Sequence, residues 1–228
     1  MVDAVFSVNP TRPMTKQQTK SKQRVADHGE VFTAEREVNA MLDLVKQETE
    51  RIDSRFLEPA CGDGNFLAEI LRRKLAVVKS RYGKNTADYE RYAVIAVTSI
   101  YGVDILQDNV DDCRKRMFDI FDSEYTANCK EDANEETRKA VRHILQHNIL
   151  CGDALSMAMI DGKPIIFTEW SEVKPCFLKR RCFQLKHLLD ENTRKIGEEG
   201  YGKGLFGDDD SYIREYPPIH YRRLGDDE

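Results

Sequence analysis

The chain of 228 residues lacks the features that mark several large classes of protein. It has no apolar run near the roughly 18 residues that a membrane-spanning helix needs, and no apolar signal peptide. Its six cysteines include no C-x-x-C pair, and no cysteines and histidines have metal-finger spacing, so we expect no metal site. Together these absences predict reduced thiols and a cytoplasmic location.

The chain also lacks an internal repeat and a strong net charge. Its formal charge of −5 excludes a polycation that coats nucleic acid. Basic residues dominate the first 24 positions, and acidic residues cluster near the end. The charge distribution and patterning predict a mobile or extended basic arm over 1–27, one domain over 28–190 and a flexible acidic tail over 191–228.

Short apolar segments alternate with amphipathic segments in the middle of the chain. Strands are predicted at 56–58, 101–105, 148–155 with its exit loop, and 164–168. This alternation predicts an α/β fold with a doubly wound, mostly parallel sheet. Four strands are few for such a sheet, so we expect it to be truncated or completed by a partner.

Several local patterns give further predictions. Thr33 is placed to cap a helix whose apolar stripe is Val38, Met41, Leu42 and Val45. The polar residues 123–135 are interpreted as a loop, and 137–147 as a helix. On that helix His143 and His147 are four residues apart, and without an adjacent acid motif they indicate a surface pair.

The most informative segment is Phe-Leu-Glu-Pro-Ala-Cys-Gly-Asp-Gly-Asn-Phe at 56–66. A strand ends there in a glycine-rich turn, where the backbone can approach a ligand closely. Acids lie at or near three strand ends, namely Glu58, Asp63, Asp104 and Asp153. Because the carboxyl ends of parallel strands share one edge, these acids indicate a binding site, although helix caps and strand-end solvation are the alternative.

The acids restrict the ligand of such a site. Carboxylates beside the glycine turn would repel a phosphate, so they favour a ligand with a ribose and a cationic end. Asp104, after the second strand, is placed to accept hydrogen bonds from ribose hydroxyls, and Asp153 is placed near an adenine ring. S-adenosylmethionine (SAM) has these groups and no phosphate.

Residues 58–66 closely resemble the SAM-binding motif of adenine-N6 DNA methyltransferases, [D/E]-P-A-C-G-[S/D]-G-x-[F/L]. Residues 29–33 resemble that family's N-terminal cofactor motif, although Ala34 stands where a proline is usual. Residues 102–105 and 148–155 resemble its ribose-binding and adenine-binding motifs. The resemblance implies a Rossmann-like fold and these cofactor-binding residues: Phe32, Thr33, Glu58, Ala60, Gly62, Asp63, Gly64, Asn65, Phe66, Asp104, Ile105, Asp153, Ala154 and Leu155.

The chain departs from this family at its catalytic motif. The family carries [N/D/S]-P-P-[Y/F/W] after the fourth strand, where the aromatic stacks on a flipped-out base. No such motif follows Asp153, and the pair Pro217-Pro218 has the wrong flanks. Glu169 and Trp170 are weak replacements for the polar and stacking groups, and a core or interface position for Trp170 is the alternative. The family's later strands and its target-recognition domain are also missing.

Three functions remain open. The first is a DNA adenine-N6 methyltransferase, most similar to the modification subunits of restriction systems, or part of a mobile-element system. The second is a cofactor-binding or regulatory subunit without its own catalysis, or half of a split enzyme, and the absent motif favours it. The third is a SAM-dependent methyltransferase of a small molecule or protein. The expected partners are DNA and a specificity or complementing subunit, with no membrane.

A basic cluster lies beyond the fourth predicted strand. It comprises Lys174, Lys179, Arg180, Arg181 and Lys186, interleaved with Phe177 and Phe183. Two interpretations stay open for it. One is a surface that follows a phosphate backbone, and the other is a solvated face of a helix or hairpin.

Overall fold

The structure, a computed structural model, describes residues 33–186 and 212–226 together with Ser21, Gln23, Arg24 and Ala26. Its α-helices are α1 (Glu35–Asp43), α2 (Lys46–Thr49), α3 (Asn65–Tyr82), α4 (Thr86–Thr98), α5 (Gln107–Cys129) and α6 (Glu135–Asn148). Its strands are β1 (Phe56–Glu58), β2 (Ile100–Asp104), β3 (Ile149–Asp153), β4 (Ala158–Met159), β5 (Ile166–Lys174), β6 (Phe177–Gln184) and β7 (Arg214–His220). Short 3-10 helices span Lys130–Asp132 and Tyr221–Arg223.

The first sheet has the strand order β1-β2-β3-β4. β2 runs parallel to both β1 and β3, and the short β4 is antiparallel to β3. Helices connect the parallel strands, because a parallel pair needs a long crossover. The protein is therefore a mixed α/β protein with a mostly parallel four-stranded sheet, as the alternating pattern predicts.

The predicted fourth parallel strand is wrong. Residues from Ile166 onward form β5, which belongs to a separate antiparallel sheet of order β5-β6-β7. Only Pro175 and Cys176 separate β5 from β6, and Cys176 adopts a positive φ of 68°. So short a connection can only join antiparallel neighbours, so the two strands form a hairpin.

The second sheet packs against the first through an apolar cluster. Tyr101 and Val103 of β2 lie against Phe167 and Phe183 of the second sheet, and all four are buried. The Tyr101 hydroxyl donates a hydrogen bond of 3.0 Å to the Thr168 carbonyl. A larger cluster fills the space among α3, α4, α5 and α6. The helices and the second sheet thus hold the parallel strands in place.

Two local predictions differ from the structure. The expected loop over 123–135 is wrong because α5 continues to Cys129, and its buried side chains recur every fourth residue from Cys113 to Cys129. Thr33 is not the cap of α1. That position falls to Ala34, which gives no side-chain hydrogen bond, and Met41 and Val45 of the predicted apolar stripe are exposed.

Residues 212–226 fold back onto the helices, which differs from the expected flexible tail. Tyr221 and Leu224 are buried in the larger cluster. The hydroxyls of Tyr221 and Tyr125 and the guanidinium of Arg222 all donate to the buried carboxylate of Glu90. Residues 191–211 lie outside the described part of the chain. Among the described helices, none combines the length and apolarity that a membrane crossing requires.

Candidate functional site

The glycine loop joins β1 to α3 and is anchored on β2. The Cys61 amide donates to the Val103 carbonyl at 2.9 Å, and the Gly64 amide donates to the Cys61 carbonyl at 2.8 Å. Gly62 and Gly64 have φ values of 52° and 86°. Residues with a side chain rarely adopt this left-handed region, so both positions favour glycine.

Asp104 connects the loop to the end of β2. Its Oδ2 accepts from the Gly62 amide at 2.9 Å, and its Oδ1 accepts from the Leu106 amide at 2.9 Å and from Asn109 Nδ2 at 3.1 Å. A carboxylate has about four acceptor positions, so these three bonds leave one position on Oδ2. The carboxylate therefore fixes the loop and retains capacity for a further donor.

Glu58 and Asp153 end the strands on either side of β2. Glu58 accepts from the Ala60 amide at 3.3 Å, and burial raises the pKa of its carboxyl despite that bond. Asp153 accepts from the Leu155 amide at 2.9 Å, and this bond lowers its pKa. The parallel pairing sets Glu58, Asp104 and Asp153 at three neighbouring strand ends along one edge of the sheet.

Asp63 differs from the other acids because its charge is neutralised within the chain. It forms a two-point ion pair with Arg116, which also donates to Asn65 Oδ1 at 2.7 Å. Asn65 Nδ2 in turn donates to the Thr33 carbonyl at 3.2 Å. Asp63 and Asn65 thus hold the loop and bring Thr33 beside it, rather than offering a free carboxylate. Phe32 lies outside the described residues.

Among the remaining predicted cofactor residues, Ile105 after β2 and Leu155 after β3 are exposed, whereas Ala154 is partly buried. Ile105 is 47% exposed and Leu155 is 94% exposed, and Ala154 lies between Asp153 and Leu155. Such apolar side chains at the open edge can contact a planar ligand. Ala60, also exposed, and the partly buried Phe66 flank the glycine turn.

Cys61 in the loop is not a nucleophile. Its side chain is buried beside Cys113. A hydrogen bond with Cys113, together with burial, raises the pKa of the Cys61 thiol far above its usual range. The thiol therefore stays neutral, whereas nucleophilic cysteines need the thiolate.

Glu169 and Trp170 lie at the opposite edge of the sheet from the glycine loop. Trp170 is buried, and its Nε1 donates to Asn148 Oδ1 at 2.8 Å, next to the start of β3. Glu169 is buried between Arg55, which precedes β1, and Arg181. The hypothesis that Trp170 stacks on a base at the glycine loop does not fit this position, and the alternative of a core aromatic does.

The histidine pair on α6 also differs from its prediction. His143 is only 6% exposed, and its ring lies 6.0 Å from that of Trp170. Arg180 NH1 lies 3.1 Å from His143 Nε2. The expected surface pair is therefore wrong for His143, which packs between α6 and the second sheet.

Two cavities lie away from the acid-lined edge. One of 910 Å³ is at the amino-terminal edge of the sheet, between Arg55, Tyr92 and Trp170. The other, of 550 Å³, lies beside the Asp63–Arg116 ion pair. Glu58, Asp104 and Asp153 line neither of them.

Sequence reasoning missed two residues that organise the loop, Asn109 and Arg116. Both are on α5, seven residues apart and therefore on one helix face. The signal in the sequence is the helical spacing of these polar residues in the segment that follows the second strand. Comparison of the chain with protein-family models, curated proteins and solved structures gives no match.

Replacement of Gly64 by alanine is expected to destabilise the fold by about 2 to 4 kcal/mol. The residue has a φ of 86°, and an added Cβ would lie 2.6 Å from Cys113 Sγ in the buried wall of α5. Urea denaturation of the variant measures this loss of unfolding free energy.

Gly162→Ala is the matched control for that experiment. Gly162 has a φ of 80°, but nothing lies within 4 Å of an added Cβ. The control therefore carries the backbone strain alone, about 1 to 2 kcal/mol. Equal losses in the two variants would show that the contact between the loop and α5 is not as tight as described.

Proposed function

We propose that the chain binds SAM at the carboxyl-terminal edge of its parallel sheet, in a Rossmann-like fold similar to that of adenine-N6 DNA methyltransferases. The glycine loop, Asp104 and the end of β3 contribute to this site. We further propose that the chain does not methylate DNA by itself and acts as a cofactor-binding subunit or as part of a divided methyltransferase.

The observation that carries the proposal is the bond between the Gly62 amide and Asp104 Oδ2. It puts a glycine turn, free of side-chain bulk, directly against a carboxylate with a remaining acceptor position. A ribose hydroxyl is a donor that suits this position. Binding of both ribose hydroxyls requires one of the present donors to release Asp104, and Gly62 on the loop is the one we expect to move.

The charges at the edge support a cationic nucleoside. Glu58 and Asp153 lie at strand ends beside Asp104, whereas Asp63 is already paired with Arg116. An anionic phosphate beside three carboxylates is unfavourable, and an ammonium or sulfonium group is favourable. Asn65 holds Thr33 beside the glycine loop, and the resemblance implies that Thr33 contacts the methionine part of SAM.

Two observations support the absence of autonomous methyl transfer. The sequence has no Pro-Pro-aromatic motif with suitable flanks. The strand expected to precede that motif belongs to the second sheet, and β1 is an edge strand among the described residues. In doubly wound sheets the ligand crevice forms where strands extend to both sides of the first strand. The described chain provides one side of such a crevice.

Tritiated SAM incubated with the purified chain and unmethylated duplex DNA tests both parts of the proposal. We expect the label to accumulate on the protein side in equilibrium dialysis, to resist a large excess of ATP, and to be absent from the separated DNA. Displacement of the labelled SAM from the protein by ATP would contradict SAM as the ligand of the site. Label on the DNA would contradict the absence of catalysis.

A further inference from the structure

One residue of the N-terminal arm lies at the edge of the sheet where the proposed site is. Arg24 forms a two-point ion pair with Asp108, with Nη1 2.5 Å from Oδ2 and Nη2 3.1 Å from Oδ1. The same Nη2 donates to Asn109 Oδ1 at 3.2 Å. Because its two partners are 84 and 85 positions away, Arg24 attaches the arm to the first turn of α5.

The local structure around Arg24 fixes the direction of its side chain. Gln23 and Arg24 are helical, and Ser21 Oγ accepts from the Arg24 amide at 3.1 Å. A serine that accepts from the amide three residues later is a typical start of a helical turn. The Arg24 side chain is 23% exposed, so it is partly withdrawn from water at its contact with α5.

Asn109 connects Arg24 to Asp104. Its Nδ2 donates to Asp104 Oδ1 at 3.1 Å, while its Oδ1 accepts from Arg24. Asn109 is buried, with 1% of its surface exposed. A primary amide has one donor end and one acceptor end, so a carboxylate at one end and a guanidinium at the other favour the same orientation. Arg24 therefore holds Asn109 as a donor to Asp104.

These contacts also distinguish the two donors to Asp104 that a ribose could displace. The amide of Asn109 is held at both of its ends. The Gly62 amide, in contrast, belongs to a glycine turn, whose backbone has more conformations open to it. Asn109 is thus the donor that keeps the Asp104 carboxylate in place while the Gly62 amide moves away from it.

We propose that Arg24 is a positioning residue of the SAM site, which acts on Asp104 through Asn109 and couples attachment of the N-terminal arm to SAM binding. The inference rests on the proposed function. Arg24 acts through Asn109 and needs no contact with SAM itself. Coupling between two binding events is reciprocal, so SAM must favour the Arg24 contacts by the same factor by which those contacts favour SAM.

Calorimetric titration of SAM into Arg24 variants tests the positioning role. Arg24→Met is expected to weaken SAM binding by about fivefold or more, the lower end of typical couplings. Arg24→Lys should weaken it to a similar extent, because an ammonium keeps the charge but lacks the fork that reaches Asp108 and Asn109 together. The matched control is Arg36→Met, at a 92% exposed arginine of α1, and it should bind SAM as the unmodified chain does.

A double-mutant cycle with Asn109→Ala distinguishes positioning from a general effect on the fold. In the Asn109→Ala chain, adding Arg24→Met should change SAM affinity by less than about twofold, since the link to Asp104 is already broken. Equal effects of Arg24→Met in the two backgrounds, normal affinity of Arg24→Met, or rescue by Arg24→Lys would overturn this inference alone. Absence of SAM binding to the unmodified chain would overturn the proposed function together with it.

Digestion with an arginine-specific protease tests the reciprocal effect. The bond after Arg24 is cut only when the guanidinium leaves Asp108, so Asp108→Ala should speed this cleavage in the absence of SAM. In the unmodified chain, saturating SAM should slow the same cleavage, which mass spectrometry of the fragments identifies. Equal rates in Asp108→Ala and the unmodified chain would show that the arm is not attached at α5. Equal rates with and without bound SAM would overturn the coupling.

Discussion

Replacement of Asp104 by alanine is expected to weaken SAM binding by about 100-fold or more. The reason is that the proposed site uses its carboxylate as the acceptor for ribose hydroxyls, and hydrogen bonds to charged groups are each worth about 1.5 to 3 kcal/mol. The variant also frees the Gly62 amide, which now donates to Asp104 at 2.9 Å. Isothermal titration calorimetry measures the change in dissociation constant.

Asp104→Asn keeps the size of the side chain but removes its charge. The Gly62 amide and Asn109 both donate to Asp104, and the new amide would turn an N–H group toward one of them. We therefore expect this variant to weaken SAM binding as well. Asp161→Ala is the control, because Asp161 is an exposed acid whose contacts are with Lys163. A control that weakens binding as much as Asp104→Ala, or Asp104 variants that bind normally, would remove Asp104 from the site.

Replacement of Glu90 by alanine is expected to lower the free energy of unfolding by about 3 to 5 kcal/mol, the cost of breaking a buried charged network. Glu90 is 2% exposed and accepts from Tyr125, Asn134, Tyr221 and Arg222. Without the carboxylate these donors lose their acceptor. Residues 221–224 then lose the hydrogen bonds from Tyr221 and Arg222 that hold them against α4. Urea denaturation provides the measurement.

The same network predicts how stability depends on pH. Burial raises the pKa of Glu90, but hydrogen bonds from Tyr125, Tyr221 and Arg222 lower it below the ordinary value of 4.5. A lowered folded-state pKa contributes stability that is present above the unfolded pKa and lost as pH falls through the folded pKa.

Glu90→Gln should therefore lack part of the acid-induced loss of stability that the unmodified chain shows below pH 4.5. Glu136→Ala, at an exposed position of α6, is the control and should change stability by no more than about 0.5 kcal/mol. Identical acid unfolding of Glu90→Gln and the unmodified chain would show that Glu90 is not held as an anion.

Local patterns predicted the parallel part of the fold. The strand at Phe56–Glu58 and the start of α3 at Asn65 follow from an apolar run, a glycine turn and helical periodicity, all within a few residues. The interpretation of 123–135 as a loop is wrong, although Tyr125 and Cys129 continue the four-residue spacing of Met117 and Phe121. The segment is rich in polar residues, and this composition indicates a loop even though the spacing of its few apolar residues indicates a helix.

The second sheet could not be predicted in the same way. β5 carries an apolar run typical of a buried parallel strand, and its pairing with β6 depends on the turn at Cys176 and on distant contacts such as that between Tyr101 and Phe167. The burial of Trp170 and His143 follows from that pairing. Likewise, the sequence indicates acids at strand ends but not that Arg116 neutralises Asp63, since the two residues are 53 positions apart.

Titration of SAM into the unmodified chain by isothermal titration calorimetry tests the central claim most directly. We predict a single site with a dissociation constant in the micromolar range. Absence of heat and of any other sign of binding at high protein concentration would contradict the claim that the glycine loop and Asp104 form a SAM site.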